Sequence, residues 1–397
     1  KAITKKNNKY IVLDEEGGFT YTLKKDMQYF LSHRTSEKNV NLIDKFFNWG
    51  KFDYSHCIKK YPLHKKKFII SGGLRFEICK KTIVKKLYQD QIKEIKNKFG
   101  NNFILLVSSH GVTSKKEIHH FLNSDTYFLD LKTKQQKKHR YEKLLEMYNL
   151  HKDFREIIVQ LAKNFPNQKF VLRPHPTEKL DNWNVFLKDH LKILSNFHVD
   201  TENDLNALIY CSIGIINSKS AAALVATQQD KPSVTYVPKY LKHGSRIVDK
   251  IGFVTSNKKN LIKLVEKNLI RRKGKFKPKV LRRLKENVNN FASQKNPSKI
   301  MLNEINKIYK FKSKISILLV MVLSPIYFIS DFFLKIFKIK YYNTKLYEKT
   351  YRTPDEKMNY SRIKKSEIDL FFKNIRKTNN IKILSFGKNS FLLYKKN

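Results

Sequence analysis

Phe170-Val171-Leu172 is an unbroken apolar run that stops at Arg173-Pro174-His175-Pro176-Thr177-Glu178. A run this short and this apolar fits a strand buried on both faces of a parallel sheet, and two prolines forbid a helix from starting at its end. The chain is thereby steered toward an α/β fold. Ligands in open α/β sheets collect beyond the carboxyl ends of the strands, so Arg173, His175 and Glu178 become candidate ligand groups. The alternative is a surface loop in which Arg173 and Glu178 pair with each other.

The same grammar recurs along the chain. Lys9–Leu13 runs into Asp14-Glu15-Glu16-Gly17-Gly18, and Phe68–Ile70 into Ser71-Gly72-Gly73-Leu74-Arg75-Phe76-Glu77. Asn102–Val107 ends at Ser108-Ser109-His110-Gly111, and Ile213–Ile216 at Asn217-Ser218-Lys219-Ser220. Short strands are also expected at Asn196–Val199 and Ser233–Val237. Between them, helical spacing predicts helices near Thr82–Phe99, Tyr141–Asn164, Asp181–Leu194, Asp204–Cys211 and Ala221–Ala226. Asp26–Ser32 and Asn41–Phe47 read as helical or irregular, and Lys115–Lys138 as a polar excursion. Strand and helix in alternation predict a parallel, doubly wound sheet.

Beyond Asn257 the chain turns basic, with helices expected at Asn260–Ile270, Val280–Phe291 and, in the tail, Ser366–Lys377. Ile315–Ser330 carries no charge over sixteen residues, short of the roughly 17–25 that span a bilayer. Lys312, Lys314, Lys335 and Lys338 flank it, which fits a helix on or in an anionic leaflet, or one buried between domains. The formal charge is +47, from 81 Lys+Arg against 34 Asp+Glu in 397 residues. An anionic substrate or membrane is one source of that excess, and a codon-driven abundance of lysine is another. No zinc finger, RNA-recognition signature or Arg-rich tract is present, so nucleic acid is not the expected partner. Cys57, Cys79 and Cys211 lie far apart without CxxC spacing, which fits a reducing compartment and no structural zinc.

In chemical terms, Arg173 offers a planar fork for phosphate, while His175 can donate to a phosphate oxygen or protonate a leaving group. If the sheet is parallel, Ser218-Lys219-Ser220 faces the same edge, so both loops close on one phosphate group. The Gly-Lys-Ser/Thr of a Walker loop is missing, which disfavours nucleotide hydrolysis. Glu15 or Glu16 is placed to act as a base, or the acids merely cap the next turn.

Taken in order, Leu13-Asp14-Glu15-Glu16-Gly17, Phe47-Asn48-Trp49-Gly50, Ser71–Glu77, Leu172–Glu178 and Ile216-Asn217-Ser218 resemble the bacterial surface carbohydrate biosynthesis proteins over about residues 10–255. More distantly the chain is similar to the capsule Kdo transferases and CDP-glycerol glycerophosphotransferases, which also carry a His-Pro loop followed by a Ser-rich loop. The resemblance implies a GT-B architecture of two Rossmann-like domains around a cleft. It implies Glu15, Glu16 and His175 in catalysis, with Arg173, His175, Glu178, Asn217, Ser218, Lys219, Ser220, Arg75, Ser108 and Ser109 at the donor. No metal or other cofactor is implied, and no DxD motif is present. Three departures stand out: Gly72-Gly73-Leu74-Arg75-Phe76-Glu77 replaces Gly-Asn-Pro-Arg-Phe-Asp, Ala223 stands where an acid often follows the Asn-Ser loop, and few residues precede Asp14.

The expected organisation is a partial N-terminal Rossmann-like acceptor domain (1–98), a donor-binding domain (99–257), basic helices closing the fold (258–310), a hydrophobic membrane-associated helix (311–340) and a basic tail (341–397). The expected activity is glycosyl transfer from a nucleotide-sugar donor to a polysaccharide or lipid-linked acceptor, by a cytoplasmic protein peripheral to the inner membrane. A CDP-polyol phosphotransferase and an inactive nucleotide- or membrane-binding scaffold are the alternatives.

Overall fold

A computed structural model describes residues 10–14, 35–108, 111–123, 134–176, 178–190, 192–242, 247–271, 284, 287–291, 296–308, 381–385 and 391–395. The expected segments at Asp26–Ser32, Ile315–Ser330 and Ser366–Lys377 lie outside the described residues. So does half of Val280–Phe291. The chain divides into two compact units, the first formed by 1–111, 149–175 and 179–309, the second by 112–148, 176–178 and 310–397.

The first unit contains two parallel sheets. The smaller has β1 (Ile11–Leu13), β2 (Lys45–Asn48) and β3 (Phe68–Ile70) in sequential order. The larger is built from β4 (Ile104–Val107), β5 (Phe170–Arg173), β6 (Phe197–Val199), β7 (Gly214–Asn217), β8 (Ser233–Tyr236) and β9 (Phe253–Thr255), in the order β6-β5-β4-β7-β8-β9. Every neighbouring pair is parallel. The chain thus starts in the middle, winds outward one way, then returns to β7 beside β4 and winds outward the other way. That is the Rossmann-like order, and its reversal lies between β4 and β7.

The apolar runs behave as a doubly covered sheet demands. All four residues of β4 are buried, with Ile104 and Leu106 on one face and Leu105 and Val107 on the other. The first face packs on Leu150, Phe154, Ile157, Ile158 and Leu161 of helix Lys134–Asn164 and on Trp183, Leu261 and Val265. The second packs on Ile92 and Ile95 of helix Gln89–Phe99, Leu208 of Leu205–Cys211, and Ala222, Val225 and Ala226 of Ala222–Gln228. Small side chains let that last helix lie close to β7.

The smaller sheet is joined to the larger by its loops. Trp49 and Phe76, with ring centroids 5.0 Å apart, pack on Ala223, Leu224, Val288 and Phe291. Ser298 donates its N–H and hydroxyl to Glu77 at 2.9 and 2.7 Å, so Glu77 caps helix Pro297–Ile308 from across the fold. Glu304 of the same helix pairs with Lys45 at 3.1 Å.

The second unit contains helix Lys115–Asn123, where a polar excursion is expected, and the first half of helix Lys134–Asn164, which begins earlier than expected. Helix Lys115–Asn123 starts on a capping box: Ser114 Oγ accepts from the Glu117 N–H at 3.4 Å, and Glu117 Oε2 accepts from the N–H of Thr113 and of Ser114 at 2.6 and 3.1 Å. Ile118 then buries against Val112 and Leu144. Arg140 donates to the Phe121 carbonyl at 2.7 Å. An antiparallel hairpin of β10 (Ile381–Ser385) and β11 (Phe391–Lys395) belongs to this unit.

The structure changes three further expectations. Lys45–Asn48 is a strand rather than helix or irregular chain, because Phe46 and Phe47 both bury at β2. Thr82–Phe99 divides into Lys81–Leu87 and Gln89–Phe99 at Tyr88. Phe253–Thr255 adds β9, an outer strand without an unbroken apolar run.

Candidate functional site

The register brings the candidate residues onto one edge. Val107 stands level with Arg173 on one side and Asn217 on the other, and Asn217 stands level with Thr235. Ser108, Pro174, Ser218 and Tyr236 follow at the next position of the four strands. Ser108 and Ser218 therefore flank the reversal of strand order, where a doubly wound sheet opens its crevice.

Hydrogen bonds tie the edge together. Ser108 is buried; its N–H donates to the Arg173 carbonyl at 3.2 Å, and its Oγ accepts from the His175 N–H at 3.1 Å. The turn carrying the half-buried His175 is thus held against the end of β4. Buried Asn217 donates from Nδ2 to Thr235 Oγ1 at 3.2 Å, and Thr235 donates to the Ile251 carbonyl at 2.8 Å. That relay fixes the amide orientation and leaves Asn217 Oδ1 buried without a hydrogen-bond partner among the described residues. Ser218 turns its hydroxyl inward, donating to the Tyr236 carbonyl at 2.7 Å. Lys219 sits at φ 56°, a left-handed conformation uncommon outside glycine and typical of tightly constrained loops. Ser220 Oγ accepts from the Ala222 N–H at 3.2 Å at the start of the next helix.

Arg173 is held from the side. Its Nη1 donates to the Asp200 carbonyl at 3.1 Å and lies 3.6 Å from the Asp200 carboxylate. Burial pulls the guanidinium pKa below its ordinary value, while Asp200 and Asp204 oppose that pull. Asp200 is itself fixed by the N–H and side chain of Asn203 at 2.9 and 2.8 Å. Sequence reasoning missed Asp200. Leu172 pairs with Val199, so Asp200 is the residue level with Arg173 one strand over, and Asp200-Thr201-Glu202-Asn203 carries the turn residues that mark a strand end.

Other expected residues lie elsewhere. Arg75 is exposed on helix Leu74–Ile78, at the carboxyl edge of the smaller sheet. Glu178 is buried and belongs to the second unit. Glu15, Glu16 and Ser109 lie outside the described residues. Asp14 is described: it is buried at the end of β1, and its carbonyl accepts from Trp49 Nε1. Asp14, Asn48 and Ser71 thus mark the strand ends of the smaller sheet. Among the described residues no cluster of three metal-ligating side chains occurs.

No family model matches this chain, and no curated protein matches it. Among solved structures it is similar to a Neisseria meningitidis UDP-GlcNAc 2-epimerase bound to UDP-GlcNAc, at 16% identity and TM-score 0.43 over 75% of this chain and 69% of the other. The wall teichoic acid polymerase TagF gives 14% identity and TM-score 0.47 over 77% and 69%. A Methanocaldococcus jannaschii UDP-GlcNAc 2-epimerase gives 13% and 0.46 over 75% and 69%.

Proposed function

We propose that the protein is a GT-B-type glycosyltransferase that takes a sugar from a nucleotide-activated donor and passes it to a surface polysaccharide or lipid-linked acceptor. The observation that carries the reading is the convergence of Ser108, His175 and Asn217–Ser220 on the carboxyl edge of a six-stranded sheet, at the reversal of its strand order. An edge of that kind suits a nucleotide diphosphate or monophosphate. The ordered motifs that resemble the surface carbohydrate family support the same assignment.

In this reading His175 meets the donor phosphate, either donating a hydrogen bond to an oxygen or protonating the leaving group as the glycosidic bond breaks. Ser108 holds the His175 backbone in place. Arg173, gripped from one side by Asp200, uses its remaining N–H groups to draw negative charge toward the edge. Asn217 to Ser220 form the opposite wall. Glu15 or Glu16 removes the acceptor proton.

Purified protein mixed with CMP-, CDP-, UDP- and GDP-activated donors tests the proposal. Stabilisation against thermal unfolding by one nucleotide class, lost on His175→Ala, is expected. Indifference to every donor and every free nucleotide would count against it.

A further inference from the structure

Leu63 is 95% exposed, in a chain whose neighbouring Tyr61 and Phe68 are buried. It sits on the 3-10 turn Pro62–Lys67 that enters β3, and the turn is pinned on both sides. Tyr61 stacks on Phe68 with centroids 6.3 Å apart and donates its hydroxyl to the Thr35 carbonyl. Lys67 donates to the Val40 and Asn41 carbonyls at 2.8 and 3.2 Å, and Lys45 donates to the Lys66 carbonyl at 3.2 Å. An apolar side chain is thus held in water on a fixed support.

Its surroundings are cationic. Lys59, Lys60, Lys65 and Lys66 are all exposed, and no acid occurs between buried Asp53 and Glu77. Of the acids on adjoining elements, Asp44 accepts from the Tyr10 N–H at 2.9 Å and Glu304 pairs with Lys45, while exposed Glu37 stands at the opposite end of helix Glu37–Leu42 from Leu42. Leu42 is 47% exposed at the entry to β2. Because β2 and β3 are parallel, Leu42 and Leu63 enter the smaller sheet from the same edge.

We propose that this amino edge rests on an anionic lipid surface, with Leu63 in the headgroup–acyl boundary and the four lysines on lipid phosphates. Positive charge around one rigid apolar projection is the combination an anionic bilayer interface selects. The role deepens the transferase reading and rests on it for purpose: β3 is three residues long, so the strand ends with Ser71 and Gly72 stand roughly 10 Å beyond the turn that carries Leu63. A headgroup-borne acceptor spans that distance.

Vesicle co-sedimentation of the full chain tests the proposal, using phosphatidylcholine vesicles with and without phosphatidylglycerol. Wild-type protein is expected on the anionic vesicles only. Leu63→Ser should lower partitioning about tenfold, and Lys65→Gln with Lys66→Gln roughly thirtyfold. All three positions are exposed, and far-UV circular dichroism checks that the fold is intact. Trp49 and Trp183 are buried, so Leu63→Trp supplies a separate reporter whose emission should shift blue on anionic vesicles. Variants that bind as the wild type does, equal binding to neutral vesicles, no binding at all, or capture of nucleic acid in place of vesicles would each overturn the docking. Donor stabilisation is read in lipid-free buffer. Its absence condemns the transferase reading alone, whereas unaltered vesicle binding by the variants condemns the docking alone.

Discussion

Asn290 makes both hydrogen bonds of its carboxamide to one residue, Gly73: Oδ1 accepts from the Gly73 N–H and Nδ2 donates to the Gly73 carbonyl, each at 3.1 Å. A side chain here completes the backbone of a buried turn as a neighbouring strand would. Asn290→Ala leaves a buried donor and a buried acceptor unmatched, and each such group costs about 1–3 kcal/mol. Urea denaturation should show a loss of about 2–5 kcal/mol, larger than an exposed Asn-to-Ala change produces.

Gly72 is constrained twice. Its φ is +95°, and an added Cβ would lie 2.4 Å from Asn290 Oδ1. Gly72→Ala should destabilise by about 2–4 kcal/mol. In an Asn290→Ala background the two closest contacts are gone, leaving the backbone strain and a 3.0 Å approach to the Cβ of residue 290, so the two losses should fall short of additive in a double-mutant cycle. Strict additivity would refute the contact.

The three thiols should be silent in the native protein. Burial pushes Cys57 and Cys79 up to about 12 and Cys211 to about 11, so all three stay protonated, and poorly nucleophilic, at pH 8. Iodoacetamide should label none of them without denaturant and all three with it. Their folded pKa values lie above those of an unfolded chain, so the folded state retains the protons longer. The resulting contribution to stability is intact below about pH 8.5, the ordinary thiol value, and is lost as pH rises from there toward the folded values. The denaturation midpoint should therefore fall on the alkaline side.

His175 and Ser108 separate by role. His175→Ala removes a half-buried ring and should leave the melting temperature near that of the wild type while transfer falls at least about a hundredfold. Ser108→Ala removes the acceptor of the His175 N–H and should cost about 1 kcal/mol of stability. It should weaken donor binding while retaining measurable turnover. A Ser108→Ala enzyme as inactive as His175→Ala would place Ser108 in contact with the reacting atoms.

Asp153 is a hub. One oxygen accepts from the Tyr236 and Tyr240 hydroxyls at 2.9 and 2.8 Å, and the other meets Lys258 at 2.5 Å. Burial, with Asp153 beside it, holds the Tyr236 phenol well above its ordinary pKa. Asp153→Asn removes the charge but keeps an acceptor, whereas Asp153→Ala removes both. The alanine variant should be the less stable by about 1–2 kcal/mol in the same denaturation assay.

What the sequence discloses follows from how each feature is built. Ile104–Val107, Phe170–Leu172 and Ile215–Ile216 are legible because central parallel strands are buried on both faces and must be apolar throughout. The polar residues at their ends are legible for the same reason, since they interrupt such a run. Helix Lys115–Asn123 was within reach through Ser114 and Glu117, but charged residues around it obscured the short apolar stripe of Ile118, Phe121 and Leu122. Asp200 and Asn290 are different. Each acts on a residue remote in sequence, and only the strand register in one case and the chain's return in the other identify its partner. Glu15 and Glu16, the expected bases, fall outside the described residues.

The bond from Asn290 to Gly73 joins residues 217 positions apart, and Ser298 caps with Glu77 over 221. During synthesis at about 5–20 residues per second, the smaller sheet therefore waits roughly 10–40 s for the partners that close its turn. The larger sheet, whose strands are all made in the interval, can fold first and provide a template. A ribosome-stalled series ending before and after Phe291 should show protease resistance arriving in residues 104–255 before it arrives in residues 45–79.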